Sequence, residues 1–352
     1  MSDSEFIASR DDVVLVTGAG GFIGSRVVQK LLERGFKNVR CFVRPSSDLS
    51  RLNTILDCCT PSSGQIVSGN LLSRDDAAKA VDGAAVILHL AAGVENSFSG
   101  AFMNSVVTTR NLLEAAGCTG MLKRFLNGSS IGVYSNLGIR RGGVLDETCK
   151  IEDRPDLRGE AYCFGKIKQD EILVEYASRY DIPYVIVRPG VVYGPGKSAL
   201  TGRVGIGTFG VFLHLGGSNR IPLTYVDNCA DAVVMAGLAP GVDGEVFNIV
   251  DDDLPTSRQF LKMYKSRVKR FRSIFLPYGV MRSLCWIWER YALWSKGQLP
   301  LVFSGRRCAA DWKGNRYPND KLKRLTGWSP TVGFEEAAQR YFDFMRESAG
   351  GA

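Results

Sequence analysis

Short apolar runs alternate with helical patterns through the first half of the chain. Val13 to Val16 is an unbroken apolar run, followed by a glycine-rich turn and by helical spacing from about Phe22 to Glu33. Val39–Val43, Gln65–Val67, Ala85–Leu90, Phe125–Leu126 and Tyr184–Val187 continue the series of short runs. Helical segments lie between them, notably near Ser105–Ala116 and Tyr162–Tyr180. Runs of this kind suit strands buried on both faces. Strands alternating with helices predict a parallel sheet covered on both sides, and right-handed crossovers make it doubly wound. The expected fold class is therefore α/β. Residues 1–189 are expected to form the sheet domain, and 190–352 mainly a smaller mixed α/β domain with some segments returning to the first. After Pro189 the pattern changes. Glycines from Gly190 to Gly217 predict a flexible closing loop, and a basic, aromatic segment runs from Arg258 to Trp312.

Composition narrows this picture. The chain has 352 residues, 45% of them hydrophobic and 23% charged, which excludes a dominantly disordered or coiled-coil organisation. No apolar stretch is long enough to span a bilayer. The first residues, MSDSEFIASRDD, are acidic and lack an apolar core, so no secretory signal is expected. The nine cysteines are scattered without a CxxC, and there are only two histidines, so neither a disulfide framework nor a metal site is expected. These features predict a cytoplasmic protein. The net charge of +8 is uneven: Arg258 to Arg290 holds nine Lys or Arg residues and one acid, Glu289. Such a block meets an anionic partner or is a solvated helix face. No nucleic-acid motif accompanies it, so nucleic acid is not the expected partner.

The turn after the first strand reads Thr17-Gly18-Ala19-Gly20-Gly21-Phe22-Ile23-Gly24. Glycines there let backbone approach a pyrophosphate, and the helix N-terminus offers unpaired N–H groups. The spacing is G-x-x-G-x-x-G at Gly18, Gly21 and Gly24, so the commoner G-x-G-x-x-G is only approximated. The second strand ends in Val43-Arg44-Pro45-Ser46-Ser47, with no acid before Asp48. An acid at this place would accept from a ribose 2′-hydroxyl, whereas arginine accommodates a 2′-phosphate. NADP is therefore the favoured cofactor and NAD the alternative.

Tyr162 and Lys166 stand at i and i+4 on one helix face. A phenol is a poor base at neutral pH, and a neighbouring ammonium lowers its pKa. Ser129-Ser130, just after the run Phe125–Leu126, offers a hydroxyl to orient a substrate oxygen. Ser130, Tyr162 and Lys166 are the expected catalytic residues.

At this point the sequence resembles the extended short-chain dehydrogenase/reductase family, over most of its length. Thr17–Gly24 is similar to the family's TGxxGxxG turn, and His89-Leu90-Ala91-Ala92 to its HxAA strand end. Ser130, four residues before Tyr134, resembles its catalytic Ser or Thr, and Tyr162 with Lys166 its YxxxK pair. Arg188 to Pro195, Pro222 to Asn228 and Leu325 to Pro330 are also similar to family segments. The resemblance implies a Rossmann sheet and hydride transfer at a nicotinamide, with Tyr162 as proton donor or acceptor. It places Gly18, Gly21, Phe22, Ile23, Gly24, Arg44, Asn70, Leu71, Leu90, Ala91, Ala92, Tyr162, Lys166, Pro189 and Gly190 at the cofactor. Asn70 stands where the family has an Asp that contacts adenine, and an amide both donates and accepts. Ser105 stands where an Asn often begins a helix, with Asn104 beside it. A homodimer through the helices near Ser105–Ala116 and Tyr162–Tyr180 is also implied.

Ile131-Gly132 follow Ser130, where sugar-nucleotide dehydratases carry Asp-Glu, which disfavours dehydration. Val191 stands where epimerases usually carry a diphosphate-binding Asn. The segment from Arg188 is closest in wording to 3β-hydroxysteroid dehydrogenase-like and dihydroflavonol reductase-like members. The resemblance thus implies interconversion of a ketone and a secondary alcohol on a hydrophobic or amphiphilic molecule. A nucleotide-sugar epimerase or reductase is the alternative, with Arg203 and Arg220 as candidate diphosphate contacts. A non-catalytic NADP-binding regulator is a second one. Met281, Leu284, Cys285, Trp288, Tyr291 and Ala292 form one helical stripe, with Trp286, Leu293 and Trp294 off it. That helix is expected to be core, a lid near Trp286 finishing the substrate pocket, or a peripheral membrane contact through 258–294.

Overall fold

The computed structural model describes residues 6–58, 63–93, 97–197, 200–208, 210–296 and 298–350. The strands are β1 (Val13–Thr17), β2 (Asn38–Val43), β3 (Gly64–Ser68), β4 (Ala84–His89), β5 (Arg124–Gly128), β6 (Tyr184–Pro189), β7 (Val191–Tyr193), β8 (Gly205–Thr208), β9 (Val211–His214), β10 (Leu223–Tyr225), β11 (Val246–Ile249) and β12 (Ser273–Phe275). The α-helices are α1 (Gly24–Glu33), α2 (Ser50–Asp57), α3 (Arg74–Val81), α4 (Phe98–Ala101), α5 (Thr108–Thr119), α6 (Pro155–Arg158), α7 (Ala161–Tyr180), α8 (Val226–Leu238), α9 (Ser257–Arg267), α10 (Tyr278–Trp294), α11 (Gly305–Trp312), α12 (Asp320–Thr326) and α13 (Phe334–Gly350).

Seven strands form one parallel sheet in the order β11-β6-β5-β4-β1-β2-β3. The chain winds outward from β1 to β3, then returns to β4 and winds the other way. β1 and β4 therefore frame a topological switch point, where ligands of such sheets bind at the carboxyl ends of the strands. The two-residue period of each strand divides its side chains between two cores. Val14, Val16, Val86 and Leu88 face α1 and α8, while Leu15, Ile87 and Phe125 face α3, α5 and α7. Both faces are apolar because both are covered, which is why the strands read as unbroken runs.

Beyond β6 the chain does not form a single flexible loop. The stretch Gly190–Gly217 contains β7, which pairs with β10, and the antiparallel pair β8–β9, whose second strand also pairs with β12. Gly205 and Gly207 lie in paired backbone, so part of the expected closing loop is a small sheet. Phe260, Tyr193, Tyr225 and Tyr341 pack there on α9 and α13.

Three element boundaries differ from the sequence pattern. Phe22 and Ile23 belong to the turn and not to α1, which begins at Gly24. The helix expected near Ser105–Ala116 begins earlier, at α4, and passes through a π-helical turn at Phe102–Val107 before α5. In α10 only Met281, Cys285 and Ala292 of the proposed stripe are buried, whereas Leu284 and Tyr291 are exposed. One narrow face of α10 meets the body of the protein, against Leu215, Cys308 and Trp312.

Candidate active site

The glycine turn leaves β1 at the switch point. Gly18 has φ +70°, and a Cβ there would lie 2.9 Å from the Ala91 amide nitrogen, so only glycine fits the turn against the β4 exit. A Cβ at Gly24 would run into the Gly18 carbonyl oxygen, and one at Gly21 would sit 3.1 Å from the same atom. Two of the three glycines thus serve close packing of the turn on itself. The N-terminus of α1 has no side-chain cap and no acid in its first turn, which leaves its N–H groups and positive end for an anion. Leu90, Ala91 and Ala92 are half-buried beside this turn, and Pro189 and Gly190 end β6 on the same edge of the sheet. Gly190 is packed tightly under the Pro222 carbonyl.

Arg44, at the end of β2, is exposed and pairs with no acid among the described residues. Arg51, in the first turn of α2, lies against the backbone at Gly196. Sequence reasoning missed Arg51. Its signal was a second arginine just after Ser46-Ser47 and Ser50. Asn70 accepts from the Leu72 amide at 3.1 Å, which spends its oxygen in a local turn and leaves the amide NH2 to donate. Leu71 is buried, and its carbonyl accepts from Asn111 at 2.9 Å. These observations fit a dinucleotide: a glycine cradle without room for side chains, an uncapped helix end, and unpaired guanidinium at the β2 edge.

The catalytic candidates converge at the next strand. Ser129 and Ser130 follow β5 and take different tasks. Ser129 Oγ donates to Asp170 at 2.8 Å, inside a buried cluster in which Asp170 also accepts from Asn127 at 2.9 Å and from Arg188 at 3.3 Å. Ser130 stands near enough to the Tyr162 hydroxyl to favour its ionised form, and its Oγ accepts from the Gly132 amide at 3.1 Å. Burial raises the Tyr162 pKa above the ordinary phenol value, with Cys163 and Asp170 adding to the shift and Ser130 opposing it. The expected lowering by Lys166 is therefore not realised in this arrangement. The Lys166 ammonium is turned to the Gly128 carbonyl and to Gln169 Oε1, the latter at 2.9 Å. Burial lowers the Lys166 pKa to about 8, with Asp170 opposing the shift. Tyr162 consequently keeps its hydroxyl proton over the ordinary pH range.

A polar chain that sequence reasoning left out fixes Lys166. Gln169 Nε2 donates to Thr109 Oγ1 at 2.9 Å, and Thr109 Oγ1 donates to the Ser105 carbonyl at 2.6 Å. With its proton so placed, Thr109 accepts from His89 Nε2 at 2.9 Å, and His89 Nδ1 accepts from Thr17 at 2.7 Å. Complete burial lowers the His89 pKa to about 3, so the ring is neutral, as this chain of donors requires. Ser105 Oγ also accepts from the Gly93 amide at 3.4 Å, which ties the π-turn to the β4 exit. The signal for this chain was polar residues in apolar surroundings, Thr17 and His89 at strand ends and Thr109 and Gln169 on helices.

Two features bear on the substrate side. Trp286 is 58% exposed, and α11 packs on both α10 and α6. Arg203 donates to the Ala310 carbonyl at 2.9 Å and lies 5.8 Å over the Tyr317 ring, which commits it to the interior. It lines, with Arg220, Asn219 and Asp311, a cavity of only about 10 Å³.

The model of the NAD dependent epimerase/dehydratase family matches residues 14–249. Cinnamoyl-CoA reductase 1 of Petunia hybrida is 32% identical over 192 residues, 52% of this chain and 55% of that protein. The 2-alkyl-3-oxoalkanoate reductase of Stenotrophomonas maltophilia is 25% identical over 340 residues, covering 93% of this chain and 97% of that protein. Among solved structures, a UDP-glucuronic acid 4-epimerase from Bacillus cereus aligns with TM-score 0.71 and 23% identity over 95% of this chain and 99% of that one. The chain spans about a third to a half of the length of several curated relatives that it matches. The parallel sheet, the glycine turn and the matched segment together establish that this chain is an enzyme of the NAD-dependent epimerase/dehydratase family, of the extended short-chain dehydrogenase/reductase type.

Proposed function

We propose that this enzyme interconverts a ketone and a secondary alcohol on a hydrophobic or amphiphilic molecule, with NADP as the cofactor. The observation that carries the reading is the nearness of the Ser130 hydroxyl to the buried Tyr162 phenol, with the buried Lys166 one turn along the same helix. NADP would lie with its pyrophosphate at Gly18–Gly24 and its 2′-phosphate toward Arg44 and Arg51. When bound it supplies or accepts the hydride. Ser130 holds the substrate oxygen by a hydrogen bond. Tyr162, kept neutral by burial, passes its hydroxyl proton to that oxygen as negative charge develops on it. Lys166 would hold a ribose hydroxyl and pass a proton onward to the phenolate left behind. In the oxidative direction the same protons move in reverse.

Two findings favour this reading over a nucleotide sugar. Arg203 is tied to Ala310, and the cavity at Arg220 has room for about one water, too little for a diphosphate. The two reductases described above also act, by their names, on acyl or oxo compounds. On this reading 1–189 bind the cofactor and 190–352 mainly the substrate. The cytoplasm is the fitting compartment, since all eight described cysteines are unpaired; Cys59 lies outside the described residues. The test is NADPH consumption with a panel of steroid, flavonoid and long-chain ketones, run beside thermal unfolding with NADPH plus UDP or GDP. Turnover of an apolar ketone supports the proposal. Stabilisation by a nucleoside diphosphate beyond that given by NADPH, without ketone turnover, would replace it with the epimerase reading.

A further inference from the structure

The segment 258–296 presents two features that the reaction does not use. The first is the outer face of α10. Val280, Leu284, Ile287, Tyr291 and Trp294 recur at helical spacing and are 48% to 76% exposed, so they form a stripe separate from the buried one at Met281, Cys285 and Ala292. Trp286 and Leu293, 58% and 56% exposed, continue the apolar surface, and Arg282 and Arg290 flank it. The second is an open groove of about 590 Å³ lined by Arg258, Lys262, Lys265 and Arg270, with His214 and Phe271. The groove and the helix are joined by β12, where Ile274 and Phe275 are exposed and Arg258 lies 5.7 Å over the Phe275 ring. No Lys or Arg of this segment pairs with a carboxylate among the described residues. Its one acid, Glu289, accepts from the Gly305 amide at 2.8 Å.

We propose that this face docks on an anionic lipid bilayer, with α10 lying in the interface and the basic groove receiving lipid phosphates. The helix is roughly 25 Å long at 1.5 Å per residue, and no helix among the described residues is long and apolar enough to cross a membrane. An interfacial helix needs apolar residues on one side, Trp and Tyr at the headgroup level, and cations beside them. α10 has all of these. A nucleic acid would match the groove and leave the apolar stripe unused. A second copy of the chain meeting this face about a two-fold axis would bring the same cations against themselves.

The test is co-sedimentation of the full chain with phosphatidylcholine vesicles, with and without about one-third phosphatidylglycerol, followed also by tryptophan emission. Binding to the anionic vesicles alone, with a blue shift, is expected. The pair Lys262→Glu with Arg270→Glu, and the pair Ile287→Ser with Trp294→Ser, should each weaken binding about tenfold or more. All four positions are solvent-facing, so the thermal unfolding midpoint and the cofactor affinity should be unchanged. Equal binding to neutral vesicles, or none to either, overturns the proposal. So does charge-dependent binding of duplex DNA without vesicle binding. A change in oligomeric mass caused by Ile287→Ser with Trp294→Ser would assign the face to a second copy instead.

Discussion

Tyr162 is surrounded by groups that favour its neutral form, and this sets what its replacement should do. Tyr162→Phe keeps the ring and removes the proton, so turnover should fall by about 10²–10⁴-fold while NADPH still binds, measured by steady-state rates and a fluorescence titration. Undiminished turnover would move the acid–base role to another group. Arg44 is free to meet a 2′-phosphate, and a hydrogen bond to a charged group contributes about 1.5–3 kcal/mol. Arg44→Ala should therefore reduce the preference for NADPH over NADH about tenfold or more, with equal affinities in the wild type contradicting the assignment. Lys166 gives a pH signature. Its pKa is near 8 in the folded chain, and the unfolded chain keeps that proton to about 10.4. Between these values the unfolded state binds more protons, so stability from this group rises with pH. Relative to Lys166→Met, the wild type should gain about 1–3 kcal/mol from pH 8 to pH 10, read by urea unfolding at each pH. No gain would mean that the ammonium is not desolvated.

At the scale of elements, strands β1 to β6 were legible because their apolar runs answer to burial on both faces, which is a local property of composition. The glycine turn was legible for a related reason: Gly18 adopts a backbone conformation that other residues resist. What each glycine does was not legible. Gly24 packs against the Gly18 carbonyl, a contact that depends on how the turn closes. Gly24→Ala should cost about 1–3 kcal/mol by overpacking and weaken cofactor binding, whereas Gly138→Ala, in open space, should be neutral by the same denaturation assay. The π-turn at Phe102–Val107 also escaped the pattern, since an inserted turn shifts the register of a helix without changing its composition.

At the scale of the molecule, the family resemblance implies a homodimer through α5 and α7. The structure leaves Phe98, Phe102, Met103 and Val174 between 40% and 45% exposed on α7 and on the helical run that leads into α5. Light scattering at micromolar concentration is expected to give about twice 38.5 kDa, and a monomer mass would contradict the pairing. The membrane-docking face on α10 is a separate surface, so dimerisation should survive its substitution.

Periodicity and motif order by themselves determined the parallel α/β sheet, the glycine turn after its first strand, and the placing of Tyr162 and Lys166 one turn apart on one helix. These follow from short-range constraints: burial on both strand faces, positive φ at Gly18, and the i, i+4 spacing of a helix. Only the tertiary structure decided that Ser129 serves Asp170 while Ser130 meets Tyr162. It likewise decided that Thr17, His89, Thr109 and Gln169 form one chain ending at Lys166, and that the aromatic helix faces solvent. The partners in that chain lie as far as 72 residues apart. Which side chains share a buried polar group depends on how strands and helices pack, and no local spacing encodes it.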